Sequence, residues 1–443
     1  MPIRSNHFYL YTLALLVGGV SGLVASAFHR TLDFVAYCRL SLHSKLMDSD
    51  TLSISFPSTD HPIHIWLFYA LVGGLLVCLS LWLMRKFAPE THGSGIPQVE
   101  GLLVGKGTMR WWLVLPVKFV ASVCAIAPGL LLGREGPTIQ MGAACGQMIA
   151  GSTHRARPYS KTLMAAGVAA GLAAAFNAPI AGIMLVAEEM RDEFDVTPTA
   201  LICIALASGS AVTVSYLWLG YGLDLDLQPI ESPPLAELPL FMLLGLVAGV
   251  WAVGYNRCLL LMVSISDGLG KRSLYLLVTG VGMLVGTLLW YIPNTVGGGE
   301  HLIKELIGHN STLTTLLVLL IVRTLLSVVC YSTGVPGGIF APLLALGALV
   351  GLAFNNAIEN FLPQLVSTPT IFAIAAMGAI FSGSVRAPLT GIILIIEITG
   401  AFGSSLPIII ACMMAAITAE GLSGEPIYNE LKQLKQNRGV SEC

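Results

Sequence analysis

Long apolar runs dominate the pattern of hydrophobic and polar positions along this 443-residue chain. Eleven stretches of at least 17 residues contain no Asp, Glu, Lys or Arg. These stretches are 5–29, 61–84, 136–154, 162–187, 196–223, 238–256, 273–299, 306–322, 324–358, 360–385 and 398–419. Because a helix needs about 20 mainly apolar residues to cross a bilayer, the runs predict a polytopic, all-α membrane protein. A transmembrane β-barrel would instead show alternating segments of about 10 residues.

Glycine and proline interrupt many of these runs. Breaks occur at Pro128-Gly129, Gly136-Pro137, Pro179, Pro342 and Pro388. Inside a bilayer, a broken backbone is tolerated only where it is buried in protein or lines an aqueous cavity. The breaks therefore predict discontinuous helices whose interruptions point inward, toward a functional site.

The chain also contains an internal repeat. Residues 177–188 and 386–397 share Ala, Pro, Gly, Ile, Leu and Glu at a constant offset of 209 positions. Two structural repeats with broken helices at matching positions are typical of secondary transporters, whose binding site lies near the membrane midplane. The repeat therefore favours a transporter.

Composition excludes several other classes of protein. Charged residues make up 11% of the chain, the mean hydropathy is +0.79 and the formal net charge is only −2. A soluble enzyme carries about 25% charged residues, and a nucleic-acid-binding protein needs a basic surface. The nine cysteines form no CxxC pair, so we expect free thiols and neither a structural disulfide nor a metal site.

The placement of Lys and Arg predicts the orientation in the membrane. Basic residues cluster in short loops and at both ends, including Arg4, Arg85-Lys86, Arg155, Arg157, Lys161, Lys271-Arg272, Lys432, Lys435 and Arg438. The loop that holds Asp224, Asp226, Glu231 and Glu237 contains neither Lys nor Arg. Since basic loops stay in the cytoplasm, we expect both termini to be cytoplasmic and the acidic loop to be external.

Three Gly-rich segments each precede an apolar helical run. They are 93–97 (GSGIP), 133–137 (GREGP) and 337–342 (GGIFAP). Glycine lets the backbone approach a ligand, and proline suits the first helical turn. A charge at mid-bilayer costs at least about 2.5–3.5 kcal/mol, while one helix N-terminus returns roughly 0.3–1 kcal/mol. Several converging N-termini with a hydroxyl would therefore bind an anion weakly enough to release it.

These three segments and the half-chain repeat resemble one family, the CLC chloride channels and proton-coupled chloride exchangers. The resemblance covers nearly the whole chain. It implies two inverted-topology repeats of tilted, broken helices, which we assign to residues 1–215 and 216–430, with a short cytoplasmic tail at 431–443. It also implies a homodimer in the inner membrane of a prokaryote, with one anion path per subunit. No cofactor is expected other than bound chloride ions.

The resemblance also implies roles for individual residues. Ser94 and Tyr428 match hydroxyls that coordinate the central anion, and Ile339 and Phe340 match residues whose backbone N–H groups line that site. Glu135 matches the external gating glutamate, which also carries protons. The supporting loops contain Gly93, Gly95, Pro97, Gly133, Arg134, Gly136, Pro137 and Gly338.

Glu189 separates the classes within the family. It matches the inner proton-transfer glutamate of exchangers, where channels typically carry an uncharged residue. The expected function is therefore exchange of chloride for protons rather than an enzymatic reaction. A passive, voltage- or pH-gated chloride channel of the same family remains the alternative, as does an exchanger for another anion such as nitrate. Ser94 favours chloride, because nitrate-preferring relatives carry Pro there.

Other intramembrane residues receive structural interpretations. Glu100 is expected to pair with Arg134 or Lys118, because an unpaired charge at this depth is costly. Glu188 and its repeat mate Glu397 are expected to be structural, although the sequence leaves their roles open. Gly167 and Gly171 form a small-residue stripe, either an internal helix contact or part of the dimer interface.

Overall fold

The fold is entirely α-helical over the part of the chain that the computed structural model describes, residues 2–47, 64–191, 193–223, 225, 233–308, 311–360 and 368–437. Within these ranges there are seventeen α-helices and no strand. The acidic-loop residues Asp224, Asp226 and Glu231 and the tail from 438 onward lie outside the described residues. The helices are α1 (Pro2–Met47), α2 (His64–Phe87), α3 (Ile96–Val104), α4 (Trp111–Ile126), α5 (Glu135–Gly151), α6 (Ser160–Phe176), α7 (Pro179–Glu189), α8 (Pro198–Leu219), α9 (Leu238–Asp267), α10 (Lys271–Tyr291), α11 (Glu300–Gly308), α12 (Leu313–Ser332), α13 (Phe340–Glu359), α14 (Pro369–Val385), α15 (Pro388–Thr399), α16 (Ser405–Gly421) and α17 (Ile427–Asn437).

Helix lengths confirm the predicted mixture of spanning and broken segments. Nine helical segments in the described residues are long and apolar enough to cross a membrane. In contrast, α3, α7 and α15 have 9, 11 and 12 residues. At 1.5 Å per residue these three helices are too short to span a hydrocarbon core of about 30 Å. The chain is therefore a multi-pass membrane protein with interrupted helices at its centre.

The repeat found in the sequence forms α7 and α15, which pack against each other. Glu397, near the end of α15, accepts hydrogen bonds from the backbone N–H groups of Ile180 (3.1 Å) and Ala181 (2.7 Å). These groups belong to the first turn of α7, where backbone donors have no partner within their own helix. The negative charge of Glu397 also complements the positive end of the α7 dipole.

Glu188 makes the reciprocal contact. Near the end of α7, its carboxylate accepts hydrogen bonds from the backbone N–H groups of Leu389 (3.0 Å) and Thr390 (2.7 Å) in the first turn of α15. It also accepts the hydroxyl of Thr390 at 2.8 Å. Since each helix end contacts the start of the other helix, α7 and α15 run antiparallel, as two inverted repeats require. These contacts give both glutamates the structural role that was expected.

The small-residue stripe of α6 makes an internal contact. A Cβ atom at Gly167 would overlap the carbonyl oxygen of Gly142 in α5, and one at Gly171 would overlap the carbonyl oxygen of Thr138. Glycine therefore lets the two backbones approach directly. Of the two interpretations left open by the sequence, the internal helix contact is the one observed, and it fixes α5 against α6.

Candidate anion and proton site

Backbone hydrogen bonds join the three Gly-rich segments into one central unit. Gly133 and Gly338 exchange two hydrogen bonds, with N···O distances of 2.7 and 2.8 Å. Gly93 donates to the carbonyl of Gly334 (3.1 Å) and accepts from the N–H of Gly337 (3.0 Å). The segments are far apart in sequence, so the predicted convergence of the breaks is observed.

Three helices begin at this unit. Helix α3 follows Gly95, α5 begins at Glu135 after Arg134, and α13 begins at Phe340 after Ile339. None of these starts has a side-chain hydrogen bond from its N-cap residue. In α3 the N–H of Ile96 donates to the Ser94 hydroxyl oxygen at 3.4 Å. The first N–H groups of α5 and α13 retain donor capacity, and all three helices direct a positive dipole end to this unit. This is the arrangement that binds an anion without a full positive charge.

Glycine is required where these elements touch. A Cβ atom at Gly136 would lie 2.9 Å from the carbonyl oxygen of Ser94 and 3.0 Å from its Cα. A Cβ atom at Gly338 would lie 2.9 Å from the backbone nitrogen of Gly136. Any larger residue would push the first turn of α5 away from Ser94. Gly136 and Gly338 thus determine how closely the three Gly-rich segments approach one another.

Lys118 holds the loop that carries Ser94. It lies on α4 and is fully buried. Its ammonium group donates to the backbone carbonyl oxygens of Thr91 (2.9 Å), Gly93 (2.8 Å) and Ser94 (3.2 Å). These bonds fix the carbonyl groups of the loop and so orient the Ser94 hydroxyl. The sequence reasoning missed this role, although a lysine inside an apolar helix was a signal that could have found it.

Tyr428 presents a buried donor to the same unit. It lies at the start of α17, and its ring centroid is 6.1 Å from that of Phe340. Its side chain is fully buried, and its hydroxyl has no hydrogen-bond partner within the described part of the chain. Leaving such a group unpaired costs about 1–3 kcal/mol. An anion that accepted this hydrogen bond would recover that free energy.

Glu135 is buried at the junction of α5 and α13. Its side chain is 0% exposed, and neither carboxylate oxygen has a hydrogen-bond partner among the described residues. A Cβ atom at Gly133 would overlap Oε2 of Glu135 and lie 3.1 Å from the backbone nitrogen of Ala341. The carboxylate therefore lies beside the first turn of α13, where the helix dipole favours an anion. A carboxylate held by a dipole but by no firm hydrogen bond is able to leave.

The neighbouring Arg134 is turned toward other residues. Its guanidinium contacts His29 Nε2 at 2.8 Å and Glu300 Oε1 at 3.3 Å. These contacts link the start of α5 to α1 and α11. Arg134, the arginine of the GREGP segment, is therefore held beside the anion site by these contacts and does not enter it.

Glu189 is the last residue of the short helix α7, at the end opposite Pro179, and it is partly buried. The charged groups near enough to act on it electrostatically are Glu100, Glu188, Glu193 and Lys432. Lys432 Nζ lies 2.9 Å from Glu193 Oε1 and 3.6 Å from Glu100 Oε2. Lys432 therefore joins two acidic residues, Glu193 and Glu100, in the neighbourhood of Glu189.

The expectation for Glu100 is therefore wrong. Its ion-pair partner is Lys432 of α17, not Arg134 or Lys118. The reason is that α17 packs on α3 and brings Lys432 over the buried carboxylate, whose side chain is only 1% exposed. Arg134 and Lys118 are held by the contacts described above. Lys432 is a residue of this region that sequence reasoning did not single out.

Ser94 lies beside a small cavity that Glu189 does not line. A cavity lined by His92, Ser94, Gln98, Asp267 and Tyr331 reaches the serine. Glu189 is not among the residues that line this cavity.

Comparison with known proteins identifies the family. The family model described as the voltage gated chloride channel matches residues 73–420, more than half of the chain. The chain belongs to this CLC family. Among curated relatives, the H(+)/Cl(-) exchange transporter ClcA of Vibrio parahaemolyticus is 39% identical over 434 residues, covering 96% of this chain and 90% of the relative. The protein of the same name from Vibrio cholerae is 40% identical over 428 residues, covering 96% and 89%.

Solved structures agree with the family assignment. A slow cyanobacterial Cl-/H+ antiporter superposes with a TM-score of 0.88 at 34% identity, covering 97% of this chain and 98% of that chain. A CLC-type fluoride/proton antiporter has a TM-score of 0.71 at 21% identity, covering 94% and 96%. The second likeness shows the CLC fold alone. Together they confirm the predicted fold class of broken helices in two inverted repeats.

Proposed function

We propose that this CLC protein exchanges chloride for protons across the membrane. The relatives at 39–40% identity are named H(+)/Cl(-) exchange transporters, and the structural neighbour at 34% identity is described as a Cl-/H+ antiporter. The observation that carries the proposal is the Glu135 carboxylate, which is buried without a hydrogen-bond partner in the described chain at the start of α13. A group in that position competes with an anion when charged and loses the attraction when protonated.

The proposed anion path runs past neutral donors. Ser94 and Tyr428 would donate their hydroxyl groups, and Ile339 and Phe340 their backbone N–H groups at the start of α13. A fixed lysine or arginine in the path would bind chloride too tightly for turnover. Exchange on this path needs no cofactor beyond the transported ions.

The proposed proton path uses two glutamates. Glu189 accepts a proton from the cytoplasmic side, within its group of acidic residues around Lys432. Glu135 then takes the proton, swings away from α13 and releases the proton outside, while chloride occupies the vacated place. In this proposal chloride and protons enter by different routes on the inner side, and the absence of Glu189 from the small cavity beside Ser94 supports it. Separate entry with one shared gate is what couples the two fluxes.

We also propose a homodimer in the inner membrane with both termini in the cytoplasm. Contacts between predicted cytoplasmic groups support this orientation. The Arg155 guanidinium lies 4.5 Å from the ring centroid of Tyr9 near the N-terminus. Arg85 lies 6.0 Å from that of Tyr275, in the first turns of α10 beside Lys271-Arg272. Each contact places one basic residue beside a segment that carries another predicted cytoplasmic group, which supports their being on the same side of the membrane.

The test is proton movement driven by chloride. Purified protein in liposomes loaded with high chloride is diluted into low chloride, with a pH electrode outside and valinomycin to set the membrane potential. An exchanger takes up protons against their gradient as chloride leaves. Fast chloride efflux without proton uptake would instead identify a passive channel and refute the proposal.

A further inference from the structure

A second small cavity lies beside the start of α13. Among the described residues that line it, Glu300 is the one with an ionisable side chain, and the others are apolar. One of these apolar residues is Leu225, which belongs to the acidic loop that is predicted to be external. The cavity therefore lies on the predicted outer side of the protein. Its volume of about 10 Å³ is close to the space that one water molecule needs.

Ala341 connects this cavity with the gate. A Cβ atom built at Gly133 would overlap the Glu135 carboxylate and lie 3.1 Å from the backbone nitrogen of Ala341. Ala341 also lines the cavity, so it borders both the carboxylate and the cavity. Glu135 itself is 0% exposed. A proton carried by Glu135 therefore needs a route to the solution, and the cavity lies where that route begins.

Glu300 lies between the cavity and the solution. Its side chain is 44% exposed, and its Oε1 lies 3.3 Å from the Arg134 guanidinium at the start of α5. A neighbouring cation favours the charged form of a carboxylate, which is the form that accepts a proton. Behind Arg134 are two titratable groups of α1, His29 at 2.8 Å from the guanidinium and Asp33 at 3.4 Å from the His29 ring.

The loop before α11 fixes the position of Glu300. The buried Arg323 of α12 donates to three backbone carbonyl groups of this loop at 2.8–3.2 Å, those of Asn294, Val296 and Gly297. A Cβ atom at Gly299 would overlap Ala345, so glycine lets the start of α11 pack directly on α13. These contacts hold Glu300 in place relative to α13, as precise proton transfer requires.

We propose that Glu300 carries protons between Glu135 and the external solution. When Glu135 turns away from α13, the O–H bond of its carboxyl group breaks and an O–H bond forms on the Glu300 carboxylate, through a water molecule in the cavity. Glu300 then gives the proton to water outside, and both steps run in reverse during proton uptake. This inference rests on the proposed function, because it assumes that Glu135 is the gate and proton carrier.

The experiment tests whether a soluble proton donor replaces Glu300. Chloride efflux from liposomes is followed with a chloride electrode at low and high MES, a buffer that does not cross the membrane, on both sides at constant pH and ionic strength. Glu300→Gln removes the proton acceptor, while its amide oxygen still accepts a hydrogen bond from Arg134. A positioned acid–base group contributes about 10²–10⁴-fold to proton transfer, and since other steps also limit turnover, we expect efflux at low MES to fall about tenfold. High MES should restore most of the wild-type rate.

The matched control is Glu305→Gln, further along α11. Glu305 does not line the cavity, and its carboxylate accepts a hydrogen bond from the Asn294 amide at 3.1 Å. We expect this variant to exchange like the wild type at both MES concentrations.

Two results would overturn the inference while leaving the proposed function intact: an unchanged rate in Glu300→Gln, or a slow rate that MES does not restore. A wild type that moves no protons would overturn both. Should Glu300→Gln not fold, Glu300→Ala is measured in the same way, because its smaller side chain admits the buffer. Absence of recovery at high MES would again refute the role of Glu300.

Discussion

We expect neutralisation of two adjacent glutamates to impair different properties of the protein. Neutralising Glu188 should lower its stability, and neutralising Glu189 should abolish proton transport. Glu188 holds the start of α15 through three hydrogen bonds of 2.7–3.0 Å. Glu189 instead lies within electrostatic reach of Glu100, Glu193 and Lys432. In Glu188→Gln, one carboxylate oxygen becomes an NH2 group that meets a backbone or hydroxyl donor. One hydrogen bond to a charged group is worth about 1.5–3 kcal/mol, and the lost interaction with the helix terminus adds roughly 0.3–1 kcal/mol. The expected destabilisation is about 2–4 kcal/mol.

The assay for this loss is the apparent Tm of the detergent-solubilised protein at a fixed scan rate. One kcal/mol corresponds to about 2–4 °C in domains of 150–250 residues, and less in a larger chain. We therefore expect Glu188→Gln to lower the apparent Tm by roughly 3–6 °C and to retain proton transport in liposomes. Glu397→Gln, the repeat mate, should show a similar decrease, because it holds two backbone N–H groups of α7.

The matched control is Glu189→Gln, one residue along the same helix. It should keep the wild-type Tm and chloride flux but lose proton uptake, since only the inner proton acceptor is removed. If Glu188→Gln instead kept its Tm and lost proton transport, the roles of the two glutamates would be exchanged. If Glu188→Gln and Glu189→Gln both lowered the Tm and both retained proton transport, Glu189 would have no part in proton transfer.

Three further variants test the rest of the site. Glu135→Gln should give chloride efflux that is independent of external pH and moves no protons, and persistence of coupled flux would refute its role as the gate. In Gly133→Ala the added methyl group overlaps the Glu135 carboxylate, so fewer protons should move per chloride; Gly151→Ala, whose Cβ meets open space, is the control. Lys432→Met removes the cation facing Glu189 and thereby favours its protonated form. The pH midpoint of proton uptake should therefore rise, and an unchanged midpoint would exclude an electrostatic role for Lys432.

Local patterns in the sequence predicted most of what lies at the centre of the fold. Gly-Pro breaks, helix starts and the repeat are all encoded within a dozen residues, and the short helices α3, α7 and α15 follow from them. The glutamate at the end of each repeat segment was visible as well. Which helix start each glutamate contacts was not, because that depends on how two segments 209 positions apart pack together.

The missed features are contacts between distant side chains. Lys432 pairs with Glu193 across 239 positions, and no local pattern links them. Glu100 was given the wrong partner because a buried charge predicts that a partner exists without indicating which element supplies it.

The reciprocal contacts of Glu188 and Glu397 also constrain how the protein is made. The backbone N–H group of Ile180 enters the membrane long before its partner is synthesised, since Glu397 follows 217 positions later. Unsatisfied backbone groups are costly in lipid. The first half therefore completes its folding only when the second half arrives, and the two halves mature together rather than in succession. Within a nascent chain, the centre of the fold therefore closes only after α15 with Glu397 has been synthesised.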